Sequence, residues 1–166
     1  MLEDIIDKNL SIIFCGINPG LKSAWDGHHF SGKSNRFWKV LHLAGFTSYQ
    51  ISAFHDKDLL QFRYGLTTAV ARPTVRADEL SKEEFEQSFK IFQEKMEMYQ
   101  PKYIAFLGKA AYAIFSGKKQ IVWGKQSEKM QNATVWVLPN PSGLNRGFSI
   151  EELTIHYKSL YHESIQ

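Results

Sequence analysis

Cysteine is almost missing from this chain: Cys15 is the only one in 166 residues. That excludes an internal disulfide, a Cys-rich zinc site and a four-cysteine iron–sulfur cluster, and it suits a reducing cytoplasm. Long hydrophobic runs are missing too. The first apolar stretch, Leu10 to Cys15, is about six residues against the ~20 that a spanning helix needs. The opening residues Met1-Leu2-Glu3-Asp4 are acidic where a signal peptide would be basic. The expectation is a soluble, cytoplasmic, monomeric protein, nucleoid-associated if bacterial. No tract rich in Gly, Ser or Pro divides the chain and no repeat or low-complexity segment occurs, so residues 1 to 166 read as one domain. Charge of either sign is nearly balanced, with 20 Lys plus Arg against 17 Asp plus Glu. The net +3 permits an anionic partner without identifying one.

What is present is organised by two Asn-Pro turns at opposite ends of the chain. Gly16-Ile17-Asn18-Pro19-Gly20 follows the apolar run ending at Cys15, and Asn140-Pro141-Ser142-Gly143-Leu144-Asn145-Arg146 follows another, Val135 to Leu138. Each reads as a buried strand opening into a loop. Tyr103 to Leu107 and Thr134 to Leu138 are further strand candidates, with Leu66 to Val70 a weaker one. Asn35 is placed to cap a helix with Phe37, Val40, Leu41 and Ala44 on one face, ending near Gly45. Ser81 with Glu84 and Ser149 with Glu152 have capping-box spacing. The first opens a helix with Phe85, Phe89, Phe92 and Met96 on one stripe before Pro101, the second a C-terminal helix with Leu153, His156, Tyr157 and Leu160. Alternating strands and helices predict an α/β fold with a mostly parallel sheet covered on both faces. In such a sheet the loops at the carboxyl ends of strands converge on the ligand crevice, which would bring the two Asn-Pro turns together.

The ordered segments GINPG, GHHF, NRFWKVL, ARPT, LGK, WGKQ and NPSGLNR resemble those of the mismatch-specific uracil-DNA glycosylases and the catalytic core of thymine-DNA glycosylases. The resemblance runs from about Ile12 to Arg146 and implies a three-layer α/β/α domain with a four-stranded parallel sheet. It also implies an enzyme that cuts the bond between a base and its sugar, acting on mismatched or damaged double-stranded DNA without a cofactor or metal. Such an enzyme must first take the base out of the stack. Leu144 is the candidate wedge, filling the space the nucleotide leaves. Gly143 would allow close approach to the bases, and Arg146 would contact the orphaned guanine or a phosphate. Phe30 is the candidate stacking platform.

Asn18 is the candidate catalytic residue, its side-chain carbonyl orienting a water, where an aspartate would add a general base. Backbone amides near Ile17, Gly20, Asn140 and Ser142 are candidates to absorb the charge of the departing base. Gly20 and Ser23 would border the base at its C5 edge, and Asn140 would contact the base or its phosphate. Ser142, Lys109 and Lys125 are candidate phosphate contacts, with Lys22, Lys33, Arg36 and Arg72 as further backbone contacts. Asp26 is a general base only if something buries or orients it; otherwise it is a solvated loop acid. His28 and His29 are neighbours in sequence and poorly placed to share a metal, and Ser142 with His156 lacks the strained elbow of a hydrolase nucleophile. Two readings from other classes stand beside the glycosylase: a mismatch-binding protein without catalysis, and a nucleotide-binding domain cradling phosphate on GINPG. The latter lacks the Gly and Lys spacing of a phosphate loop.

Overall fold

The computed structural model describes residues Met1 to Gln166. Four parallel strands, β1 (Ile12–Gly16), β2 (Tyr64–Thr68), β3 (Tyr103–Leu107) and β5 (Thr134–Leu138), form the sheet. A two-residue strand absent from the sequence reading, β4 (Gly124–Lys125), adds an antiparallel edge on β5, giving the order β2-β1-β3-β5-β4. Two residues carry no alternation that a sequence pattern can register. The β2 strand starts two residues earlier than its apolar run suggested. Ala69 and Val70 still donate to the Gly16 and Ile17 carbonyls, so they continue alongside the chain leaving β1.

The helices are α1 (Leu21–Asp26), α2 (Phe37–Ala44), α3 (Lys82–Tyr99), α4 (Ala110–Ser116) and α5 (Ile150–Ser164). Both expected capping boxes form: Ser81 accepts from the Glu84 amide at 3.2 Å and Ser149 from that of Glu152 at 3.1 Å. Asn35 Oδ1 accepts from the Phe37 amide at 2.9 Å, and α2 ends on Gly45, whose φ of 102° suits glycine.

Alternation along the buried strands separates two cores. Ile12, Phe14, Ala105, Leu107, Trp136 and Leu138 face one side and pack with α2 and α5. Ile13, Cys15, Ile104, Phe106, Val135 and Val137 face the other and pack with α3 and α4. The result is an α/β/α sandwich. No helix is long and apolar enough to cross a membrane. Between β2 and β3 the chain changes its direction of travel across the sheet, so a crevice opens beyond the carboxyl ends of β1 and β3.

The outer edge of β2 is covered by Ile5, which exchanges hydrogen bonds of 2.9 and 2.7 Å with Leu66. A Cβ on neighbouring Gly65 would lie 2.6 Å from the Ile5 carbonyl oxygen and 2.7 Å from Leu10 Cδ1. Gly65→Ala is therefore expected to lower stability by about 1–3 kcal/mol, read as a lower urea midpoint. Gly32→Ala, whose methyl would meet nothing within 4 Å, should change stability by less than ~0.5 kcal/mol. Equal midpoints in urea titrations would show that Ile5 does not pack against β2 in solution.

Candidate active site

The crevice is a cleft of about 380 Å³. Ile17, Asn18, Gly20, Ser23 and Phe30 line it from the first turn and its sequel, and Asn140, Ser142, Gly143 and Leu144 from the second. The two distant turns thus meet across one site. Gly108, at the end of β3, lies between them: its φ of 95° suits glycine, and a Cβ there would be in ordinary contact with Ile17 Cδ1 at 3.4 Å and Asn140 Cβ at 3.7 Å.

Asn18 is held by its amide nitrogen. Nδ2 donates to the Arg72 carbonyl at 2.7 Å and to Thr74 Oγ1 at 2.8 Å. The Arg72 carbonyl can only accept, which fixes which end of the amide faces it. Thr74 donates in turn to the Arg76 carbonyl at 2.7 Å. Both N–H bonds of Asn18 are spent, and Oδ1 remains as its free acceptor. Asn140 is set the other way round: Oδ1 accepts from the Ser142 amide at 2.9 Å, leaving its NH₂ group as the free donor. One amide offers the cleft an acceptor, the other a donor.

Phe30 lies on the floor with its ring stacked on Phe37, centroids 4.2 Å apart and planes at 26°. Its φ of 53° is left-handed, a conformation that costs a bulky residue about 1–2 kcal/mol. The surrounding segment is clamped accordingly. Asp56, 2 % exposed, accepts from the His29 amide at 2.9 Å and lies 3.1 Å from His28 Nδ1. Trp38 Nε1 donates to the His29 carbonyl at 3.0 Å. The His29 ring donates from Nε2 to the Glu3 carbonyl at 2.7 Å, and burial holds its pKa below the ordinary imidazole range. The two histidines are thus engaged in shaping this segment. Asp56 went unnoticed in sequence because nothing local links it to residues 27 positions away.

The wall carrying Leu144 is organised by Arg36. Its guanidinium donates to the carbonyls of Phe148 at 2.6 Å, Ser142 at 3.0 Å, Asn145 at 3.0 Å and Pro141 at 3.3 Å. Gly143 then sits so close to Ser34 that a Cβ would lie 2.5 Å from Ser34 Cβ. Leu144 projects from this loop 66 % exposed, and Arg146 is exposed on it.

Several of the expected contact residues have partners within the protein. Arg36 and Arg72 serve the protein's own loops: Arg72 Nε donates to Glu84 Oε1 at 2.5 Å and Nη2 to the Glu79 carbonyl at 3.2 Å. Lys109 and Lys125 lie outside the cleft lining; Lys109 sits 4.5 Å over the Trp123 ring and Lys125 pairs with Glu163 at 3.0 Å. The Ser142 amide is committed to Asn140 and is not a free donor. Ser23 Oγ accepts from the Ser31 amide at 3.2 Å, tying α1 to the Phe30 segment. Asp26 ends α1, largely shielded, and does not line the cleft. Its Lys22 partner at 3.1 Å, followed by Ser31, holds its carboxyl below the usual range, which makes it an anion and a weaker base. Burial pushes the Cys15 thiol up, away from nucleophilic use. His156 packs edge-on to Trp123 and Phe148, away from the cleft. No carboxylate or histidine is among the lining residues.

A model of the Uracil DNA glycosylase superfamily matches residues 3–159. The chain belongs to that superfamily. Its fold is also that of a Methanosarcina acetivorans protein solved by solution NMR and provisionally named a uracil DNA glycosylase. The two share 22 % identity and a TM-score of 0.64 over 97 % of each chain. Superfamily membership gives the chain a DNA glycosylase fold and points to an N-glycosyl hydrolase.

The Arg72–Glu84 pair ties the Asn18 clamp to the first turn of α3. Arg72 is the main cause that holds the Glu84 carboxyl at about 2, with the Ser81 amide next. A depressed folded-state pKa contributes stability that is present above the unfolded value of 4.5 and is lost as pH falls through about 2. Arg72→Ala is expected to return the Glu84 titration toward 4.5, read by carboxyl NMR, and to speed hydrogen exchange at the Thr74 amide. A Glu84 pKa still near 2 would show that Arg72 does not set it.

Proposed function

We propose that this chain is a monofunctional, mismatch-specific uracil-DNA glycosylase. It flips uracil, best from U·G pairs, and hydrolyses the N-glycosidic bond to leave an abasic site for base excision repair. It acts as a monomer on double-stranded DNA without a cofactor. The observation that carries this reading is the Asn18 amide, whose two N–H bonds are anchored so that only Oδ1 is left to the cleft.

A water donating one hydrogen to Asn18 Oδ1 has its lone pair free for the sugar C1′. As the C1′–N bond breaks, its electron pair leaves with the base and the sugar becomes oxocarbenium-like. The free NH₂ of Asn140 is the donor available to a base carbonyl as negative charge gathers there. The water's oxygen then bonds C1′ and its proton passes to solvent, since no lining carboxylate or histidine is there to take it. Phe30 offers its π-face to whichever pyrimidine enters, a sequence-tolerant contact. Leu144 occupies the gap in the duplex, and Gly143 and Arg146 attend the bases around it.

Substrate range follows from shape. A Cβ at Gly20 would meet nothing within 4 Å, and the Ser23 hydroxyl is buried and engaged by the Ser31 amide. A site that merely tolerates a methyl discriminates by about 1–3 kcal/mol, so thymine opposite guanine and ethenocytosine are secondary substrates.

The test is alkali-revealed cleavage of a labelled duplex bearing one U·G pair, with chelator present. Wild type should cut, and Asn18→Ala should bind equally but cut at least ~100-fold more slowly, the cost of an unpositioned nucleophile. If neither cuts yet wild type prefers the mismatch, the protein is a mismatch binder. Without a base in the cleft, the single-turnover rate should also stay flat from about pH 6 to 8. A sigmoidal rise with a pKa in that window would place a titrating base in the mechanism.

A further inference from the structure

The lip of the cleft formed by α1 carries more exposed apolar surface than base excision uses. Leu21 is 51 % exposed, and Trp25, one turn further along α1, is 88 % exposed. A bridge between Gly20 and Thr74 brings Val75 to this lip, itself 64 % exposed. Leu21 and Val75 line the cleft, so the patch is continuous with it. The remaining tryptophans are placed otherwise: Trp38 and Trp136 are buried, and Trp123 lies under Lys109.

The geometry points to a second DNA contact on this lip, in which Trp25 stacks on an unpaired or kinked nucleobase of the strand that delivers its neighbour to the cleft. The inference rests on the glycosylase reading above. Extruding one nucleotide strips its neighbours of a stacking partner, and the wall opposite supplies only Leu144 to replace it. An indole is a partner for any base, because every base has a π-face. A phosphate on this lip would meet Lys22 only beside the Asp26 carboxylate, 3.1 Å from its ammonium. A docked protein is wrong here, since a partner covering Leu21 and Val75 would close the cleft to its substrate. Leu21 and Val75 give the stacked base an apolar edge to lie against.

The experiment measures binding of wild type, Trp25→Ala and Trp25→Phe to a U·G duplex at two salt concentrations, alongside single-turnover excision at saturating duplex. Trp25→Ala should bind about tenfold more weakly. That factor should be equal at both salts, since a stack releases no counterions. Its saturated excision rate should match wild type. Trp25→Phe should stay within roughly threefold in affinity, keeping a π-face. Intrinsic fluorescence of wild type should be quenched by the duplex, and the quench should vanish in Trp25→Phe. If wild type excises uracil while Trp25→Ala binds equally well and the quench persists in Trp25→Phe, the stacking contact is overturned and the cleft reading stands. If wild type excises nothing from any duplex, the cleft reading falls and this inference with it.

Discussion

One guanidinium sets the shape of the cleft. Arg36 stands at the start of α2, and its side chain reaches the carbonyls of four residues in the loop after β5, while its own amide donates to Pro141 at 3.0 Å. No carboxylate pairs with it; the carbonyl dipoles of the loop take that place. Hydrogen bonds to a charged group are each worth about 1.5–3 kcal/mol, more than neutral ones. A loop with its carbonyls turned inward onto one cation has little freedom left. That is how Leu144 comes to stand out in solvent on a rigid base, and how the Asn140 amide keeps one orientation. Tyr157 adds a pin from α5, donating to the Pro139 carbonyl at 2.8 Å.

The facing wall repeats this logic with different parts. Arg72 pairs with Glu84 in the first turn of α3, and its own carbonyl then receives Asn18. In each case an arginine near a helix start anchors a loop, and the loop orients one asparagine amide. The sheet contributes the separation, since both asparagines follow strands whose neighbours β1, β3 and β5 are in continuous parallel register. Phe30 completes the site in a strained conformation that Asp56, Trp38 and Ser23 hold in place. Acid–base groups are correspondingly sparse, with no carboxylate or histidine in the lining.

Legibility in the sequence followed distance along the chain. Capping boxes, the helix stop at Gly45 and the strands at Tyr103 and Thr134 are signalled within four or five residues, and each lies where those signals put it. The two Asn-Pro turns were legible as loops after strands, and the parallel sheet then requires them to meet. What could not be read was the partner of each polar side chain. Arg36 looked like a phosphate contact because its four carbonyls lie more than 100 residues away. Thr74 stood within a quoted motif without a role, since its link to Asn18 spans 56 positions. The 3₁₀ segment Ala53–Phe62, which delivers Asp56, has neither helical periodicity nor a capping signal. Composition could not tell a free lysine from Lys109 or Lys125, each engaged by its own fold.

On the proposed function, the cleft receives an extruded base between two oppositely oriented amides. A crystal structure with a duplex carrying 2′-fluoro-deoxyuridine opposite guanine tests it most directly, because the fluorine resists the oxocarbenium-like transition state and preserves the bound substrate. Uracil is expected stacked on Phe30 with a carbonyl on Asn140 Nδ2, with a water on Asn18 Oδ1 aimed at C1′ and Leu144 within the duplex. Uracil left in the helix, or extruded with Asn18 Oδ1 remote from the sugar, would contradict it.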